Sequence, residues 1–158
     1  MSEGKSLEGL QGWLILVGFG VIFAPLRIII TLLPIYKEIF ENNYWQMLTT
    51  PGTDAYNILW APILLGEISI NILLVIAWVY IAYLFFTKKK QFPKIYISIV
   101  LFTLFFIILD ALAIKVVLPS EPIFDKDTVK ELSRSVISAM IWIPYMLISK
   151  RVKATFIH

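Results

Sequence analysis

Cysteine is absent from this chain of 158 residues, and histidine occurs once, at His158. Without cysteine there are no disulfides, thiol nucleophiles or cysteine metal sites. A single histidine leaves no histidine cluster for a metal and no histidine-based catalytic pair. Glycine-rich phosphate loops, nucleophile elbows and metal-binding helix pairs are also missing. The sequence therefore predicts no catalytic, cofactor or metal site, and we expect a protein that is not an enzyme.

Charge is also scarce, because charged residues make up 16% of the chain and hydrophobic residues 59%. A soluble domain of this size could not bury that much apolar surface. The formal net charge of +3 lies in short basic clusters beside apolar runs. Nucleic-acid binding would instead place basic residues along a face that also carries exposed aromatic rings. The composition therefore predicts a lipid bilayer as partner and no nucleic acid.

Long apolar runs predict an all-α, polytopic membrane protein, a four-helix transmembrane bundle within a single domain over residues 1–158. A helix needs about 20 apolar residues to cross a bilayer, and the fourth run reaches that length only if its flanks are also helical. A secretory signal is the competing interpretation of the first run, but no small-x-small cleavage pattern follows it. The predicted spans are 13–36, 58–86, 95–118 and 134–149.

Basic residues predict the orientation of these spans. The loop Thr87–Lys94 contains four lysines, and the segment after Ser149 contains Lys150, Arg151 and Lys153. The other two loops hold fewer basic residues or balance them with acidic ones. Because Lys- and Arg-rich flanks are retained in the cytoplasm, we expect both termini and the lysine loop on the cytoplasmic side.

Short amphipathic helices are predicted in both outer loops. Apolar residues recur at helical spacing between Ile35 and Leu48, which is typical of a helix lying along the membrane surface. In the second outer loop, Asp125–Ser135 has the pattern of a capped helix that continues into the fourth span. Its predicted N-cap is Asp127, or alternatively Thr128 within a capping box.

Five polar residues within or beside the spans form the candidate site: Arg27, Glu67, Asn71, Asp110 and Arg134. Charged groups in hydrocarbon need partners or water. Glu67 and Asn71 share one helical face, and Arg27 is their expected partner because it lies at a similar depth. Asp110 is expected to pair with Arg134 or Arg27. These residues form either structural ion pairs that fix the helix order or a polar cavity open to the outer side.

Several short motifs resemble a known family. They are Gly12-Trp13-Leu14, Ala24-Pro25-Leu26-Arg27, Ile141-Trp142-Ile143-Pro144-Tyr145, and Ser149-Lys150-Arg151-Val152-Lys153 followed by Thr155-Phe156. The chain resembles, over nearly its whole length, the bacterial membrane family called domain of unknown function 2569. The resemblance implies four helices in the bacterial inner membrane and polar positions that match all the candidates except Asn71. It implies no activity and no role for those residues.

We therefore expect a non-enzymatic binding or assembly partner of another membrane protein, of an envelope component or of further copies of itself. One alternative is a small transporter or channel with an outward-facing polar cavity, and another is an immunity-type protein that blocks a toxin in the membrane. A transporter needs a water-accessible path with unpaired charge, whereas a structural bundle has paired charges and a dry centre.

Overall fold

A computed structural model describes residues 7–157 of the chain. Residues 1–6 and His158, the two ends of the predicted domain, lie outside the described residues. The described part of the chain is all-α and has no strand. Its helices are α1 (Trp13–Glu41), α2 (Tyr44–Thr49), α3 (Trp60–Phe86), α4 (Phe92–Val117), α5 (Lys126–Ile148) and α6 (Lys150–Thr155).

Three of these helices are long and apolar enough to cross a membrane. They are α1, α3 and α4, with 29, 27 and 26 residues and hydropathies of 2.3, 2.3 and 2.7. At about 1.5 Å per residue, each is longer than the ~30 Å hydrocarbon core of a bilayer. The chain is therefore a multi-pass membrane protein, and the three helices correspond to the first three predicted spans with ends that differ by up to five residues.

The fourth predicted span lies within α5, which is not among the helices apolar enough to cross a membrane by composition. Its first turns carry Lys126, Asp127, Lys130, Glu131 and Arg134, whereas its last half is apolar. The helix is continuous for 23 residues. Helix length alone would suffice for a crossing, but the charged half leaves the fourth span a prediction.

The predicted N-cap of α5 is wrong. Asp125 is the cap, because its carboxylate accepts the backbone N–H of Thr128 at 2.7 Å while its own backbone is extended. Asp127 and Thr128 lie inside the first turn. An N-cap needs a non-helical backbone and a side chain that reaches an N–H two or three residues ahead. Hydrogen bonds from the Thr128 side chain and backbone hold the pKa of Asp125 below its usual value.

The stretch between Ile35 and Leu48 is not one surface helix. Its first part continues α1 to Glu41, past the predicted end of the first span. The chain then turns through Asn43, which has a left-handed φ of 61°, and the short α2 follows. Asparagine tolerates this backbone conformation better than most residues. The placement of α2 at a membrane surface stays a prediction.

The long helices form a ring. Helix α3 packs against both α1 and α4, and α5 packs against α4. Side chains of α5 also meet α1, since the rings of Trp13 and Trp142 form an edge contact with centroids 6.3 Å apart. We call the end of the bundle that holds the loop Thr87–Lys94 and α6 the lysine end, and the opposite end the α2 end.

Most of the buried apolar residues lie at the lysine end. This core comprises Leu14, Val17, Val21, Ile81, Leu84, Phe85, Phe92, Tyr96, Val100, Ala139, Met146, Val152 and Phe156. A much smaller cluster at the α2 end comprises Trp60, Leu64 and Val117. The larger cluster makes the bundle more tightly packed at the lysine end than towards the α2 end. Packed apolar side chains also exclude water from the lysine end.

The C-terminal segment closes the lysine end. The ring of Phe156 stacks on Phe92 with centroids 4.4 Å apart. Thr155 is 2% exposed, and its hydroxyl accepts the N–H of Gly9 at 3.1 Å and donates to the Gly9 carbonyl at 3.2 Å. Arg151 adds a hydrogen bond to the Leu7 carbonyl at 3.4 Å. The two ends of the described chain are therefore held together beneath the core.

Candidate functional site

A hydrogen-bonded polar unit lies between the two apolar clusters. The Tyr36 hydroxyl of α1 donates to the Glu67 carboxylate of α3 at 2.9 Å. The Asn71 amide donates to the Tyr36 oxygen at 3.1 Å and to the Glu67 carbonyl at 3.0 Å. All three side chains are half-buried. The four-residue spacing of Glu67 and Asn71 thus brings both to one neighbour, as predicted, but that neighbour is Tyr36.

The prediction that Arg27 pairs with Glu67 is wrong. The Arg27 guanidinium lies 3.5 Å from the Glu131 carboxylate of α5, with side-chain exposures of 43% and 54%. Arg27 and Tyr36 are nine residues apart, and at about 100° per residue they point to nearly opposite sides of α1. Helix α1 therefore presents Tyr36 towards α3 and Arg27 towards α5. An ion pair this exposed stabilises the fold by at most about 1 kcal/mol.

Asp110 of α4 is half-buried and forms no ion pair within residues 7–157. Its predicted pairing with Arg134 or Arg27 is not formed, and Arg134 is exposed on α5. Asp110 instead lines a cavity of about 240 Å³ between α4 and the segment that leads into α5, together with Ala111, Ile114 and Thr128. This cavity gives the Asp110 carboxylate access to space outside the packed core.

Acidic side chains outnumber basic ones in this region. Glu67 and Asp110 lie on the neighbouring helices α3 and α4, and Glu131 of α5 pairs with Arg27. Lys115, five residues along α4 from Asp110, forms no ion pair within residues 7–157, and its ammonium donates to the carbonyls of Pro119 and Glu121 at 2.6 and 2.7 Å. Lys115 therefore binds the carbonyls that follow the end of α4, where a cation is also favoured by the helix dipole.

We use the name polar layer for Tyr36, Glu67, Asn71 and Asp110. The layer includes three of the five predicted site residues, while Arg27 lies on the seam between α1 and α5 and Arg134 on the surface. Tyr36 was missed by the sequence reasoning because it was taken as the last residue of the first span. The signal that could have revealed it is the helical pattern that continues past Pro34 into Lys37 and Glu41.

The family of the chain follows from comparison with known proteins. The family described as Protein of unknown function (DUF2569) matches residues 7–157, which is nearly the whole chain. The chain belongs to this family. The resemblance found in the sequence motifs is thereby confirmed. No curated protein and no solved structure matches the chain. Membership of this family assigns no activity to the polar layer.

Proposed function

We propose that this protein is a non-enzymatic binding component of the bacterial inner membrane, with four spans and both termini in the cytoplasm. Its polar layer faces outward and receives a polar group of another membrane protein or envelope component. The observation that carries this proposal is the position of the layer. Half-buried polar side chains lie in the loosely packed half of a bundle whose other half is a closed apolar core.

The pairing of α5 with α1 supports the fourth span. Trp13 lies against Trp142, and Arg27 lies against Glu131. The two contacts are separated by 14 residues along α1 and 11 residues back along α5, or about 21 and 17 Å. Helix α5 thus runs antiparallel to α1 through more than half of a bilayer's depth. The charged first turns of α5 would then lie towards the outer surface.

The distribution of basic residues supports the orientation. The loop Thr87–Lys94 and the basic helix α6 lie at the same end of the bundle, as expected when both are retained in the cytoplasm. An even number of spans places both termini on that side. The α2 end, towards which the polar layer lies, then faces the periplasm.

The hydrogen-bonding capacity of the layer supports binding rather than a purely structural role. A carboxylate offers about four acceptor positions, and the hydrogen bonds of Glu67 are confined to Tyr36 among the side chains of residues 7–157. Asp110 has no ion pair in that part of the chain. Polar groups at this depth need water or a partner, and an outward opening supplies either.

Cysteine accessibility tests this proposal directly, because the chain has no native cysteine. Asn71→Cys and Asp110→Cys are placed in the layer, and Leu73→Cys is the matched control, since Leu73 lies two residues from Asn71 on an exposed apolar face of α3. Asp54→Cys, in the loop after α2, is the positive control. A membrane-impermeant thiol reagent is added to intact cells.

We expect the reagent to label Asn71→Cys, Asp110→Cys and Asp54→Cys and to leave Leu73→Cys unmodified, because thiols that face lipid are not ionised. Protection of both layer positions with labelling of the loop control would refute the outward-facing layer. Labelling of the loop control only from the cytoplasmic side would refute the proposed orientation.

A second candidate function is transport, and the closed lysine end favours it. A polar layer open towards one side above a closed apolar core corresponds to one state of an alternating-access cycle. The same Asn71→Cys variant distinguishes the two functions when inside-out vesicles are used. Labelling from the cytoplasmic side as well would indicate a second, inward-open state and transport, whereas labelling from the outside alone would indicate binding.

A further inference from the structure

A second cavity lies at the lysine end, far from the polar layer. Its volume is about 600 Å³, and it lies between the adjoining ends of α3 and α4. Tyr80 and Tyr83 contribute from α3, Lys89 and Lys90 from the loop, and Lys94 from α4. Among residues 7–157, no acidic residue lines it. The cavity therefore combines three positive charges with two aromatic rings.

The loop that carries the lysines has a defined backbone. The N–H of Lys89 donates to the Leu84 carbonyl at 2.9 Å, and the N–H of Lys88 donates to the Phe85 carbonyl at 3.1 Å. Lys88 itself has a left-handed φ of 53°. These features are those of a Schellman motif, which ends a helix with fixed geometry. Lys89 therefore follows α3 on an ordered backbone.

The three lysines of this cavity form no ion pair with the part of the chain that the structure describes. Within residues 7–157 the ion pairs are Arg27–Glu131 and Lys37–Glu41, and neither includes a lysine of this cavity. Helix α4 begins at Phe92, so the positive end of its dipole adds to the potential there. The chemistry of the cavity thus favours an anion, and lysine binds phosphate in proteins as a point charge.

The tyrosines indicate that this anion belongs to a lipid. Tyr80 and Tyr83 are both exposed and stack with centroids 6.3 Å apart. Phe86, at the last turn of α3, is exposed as well. Tyrosine at the end of a membrane helix lies at the level of the lipid headgroups. The cavity therefore joins a cationic rim to an exposed aromatic surface near the end of a predicted span.

We propose that this cavity binds the phosphate headgroup of an anionic phospholipid, with Lys89, Lys90 and Lys94 around the phosphate and Tyr80 and Tyr83 against the glycerol and upper acyl chain. Basic pockets between membrane helices on the cytoplasmic side bind acidic headgroups in this way. A positive loop that only sets topology requires lysines but does not require tyrosines in the same cavity. The proposal is independent of the function of the polar layer.

The test measures lipid selectivity of the full chain in vesicles of phosphatidylcholine. Spin-labelled phosphatidylglycerol and spin-labelled phosphatidylcholine are compared by the fraction of each that is motionally restricted at the protein. The site variant is Lys89→Gln/Lys94→Gln, and the matched control, Lys150→Gln/Lys153→Gln, removes the same charge from the same end of the bundle. Each variant is purified folded, with helicity checked by circular dichroism.

We expect the wild-type chain to prefer phosphatidylglycerol and the site variant to lose this preference, on the order of fivefold for each lysine removed. The control variant should retain most of it. Equal losses in the two variants would show diffuse surface attraction and overturn the proposal, as would the absence of any preference in the wild-type chain.

Two further arms remove the remaining ambiguity. Tyr80→Leu/Tyr83→Leu keeps every charge, so the motionally restricted fraction of phosphatidylglycerol is expected to fall only if the lipid occupies the cavity. An unchanged restricted fraction would overturn the assignment. Soluble glycerol phosphate at millimolar concentration should leave the restricted lipid in place, and its displacement of the lipid would assign the cavity to a free phosphate compound instead.

Discussion

Replacement of Gly18 by alanine should destabilise the bundle relative to the same replacement at Gly20. Gly18 lies on the face of α1 that contacts α3, where an added Cβ would meet the ring of Phe85 at 3.0 and 3.3 Å. Phe85 is 1% exposed, and its ring lies 5.1 Å from that of Phe92 and 5.8 Å from that of Phe156, centroid to centroid. The ring therefore has little freedom to move away. Gly20 has no atom within 4 Å of such a Cβ.

The magnitude follows from two opposing contributions. Alanine is a better helix former than glycine by about 1 kcal/mol at either position. At Gly18 the new methyl group also overpacks the core, which typically costs about 1–3 kcal/mol. We therefore expect Gly20→Ala to be about 1 kcal/mol more stable than the wild-type chain. The free energies of unfolding of the two variants should differ by about 1–3 kcal/mol. This difference does not depend on the helix-propensity value, because both variants make the same Gly→Ala change in a helix.

The assay is unfolding of the purified protein in micelles by increasing mole fraction of dodecyl sulfate, followed by circular dichroism. The double variant Gly18→Ala/Phe85→Leu provides a rescue, because leucine leaves room for the new methyl group. Its stability should fall by less than the sum of the two single changes. If Gly18→Ala is as stable as Gly20→Ala, the close approach of α1 and α3 at this position is refuted.

Three further predictions concern the ends of helices. Phe156→Ala should release the C-terminal segment, because replacing a buried phenylalanine by alanine typically costs about 3–5 kcal/mol of stability. Tryptic cleavage in this segment should accelerate. Equal acceleration by Ile157→Ala, a change at an exposed neighbour, would contradict the packing of Phe156 against the core. Lys88→Gly should stabilise the chain by about 0.5–1 kcal/mol, since glycine adopts a positive φ without strain, whereas Lys88→Ala should show no gain in the same unfolding assay. Hydrogen bonds from Thr128 lower the pKa of Asp125. The cap therefore stabilises α5 above the usual carboxyl pKa, and this stabilisation is lost as the pH falls through the lowered value. Protection of the first-turn amides of α5 from exchange should be lost over the same pH range, and this protection should persist at low pH in Asp125→Asn.

Sequence reasoning located the apolar helices well because their signal is local. A run of apolar residues longer than the bilayer core needs no knowledge of neighbours to be recognised. The prediction failed at the C-terminal end of α1 and at the cap of α5. Helix α1 continues past Tyr36 to Glu41, since a charged residue does not end a helix. The cap is Asp125 because backbone conformation, and not residue type alone, selects the N-cap.

Three of the five predicted site residues lie in the polar layer, but the pairs that the structure forms were not predicted. Depth along each helix can be counted from the sequence, and Arg27 and Glu67 were assigned to each other on that basis. The rotation of α1 about its axis decides which side faces α3, and a helix that is apolar nearly all round gives little information on it. Tyr36 therefore binds Glu67, and Arg27 binds Glu131.

The amino-acid sequence by itself determined that this chain is a helical membrane protein, because hydropathy and helix length follow from residues close together in the chain. Only the tertiary structure decided which polar groups meet, where the core lies and how the lysines and tyrosines of α3 and α4 come to line one cavity. Those contacts join residues from separate helices. The relative rotation of the helices depends on how all their side chains pack at once.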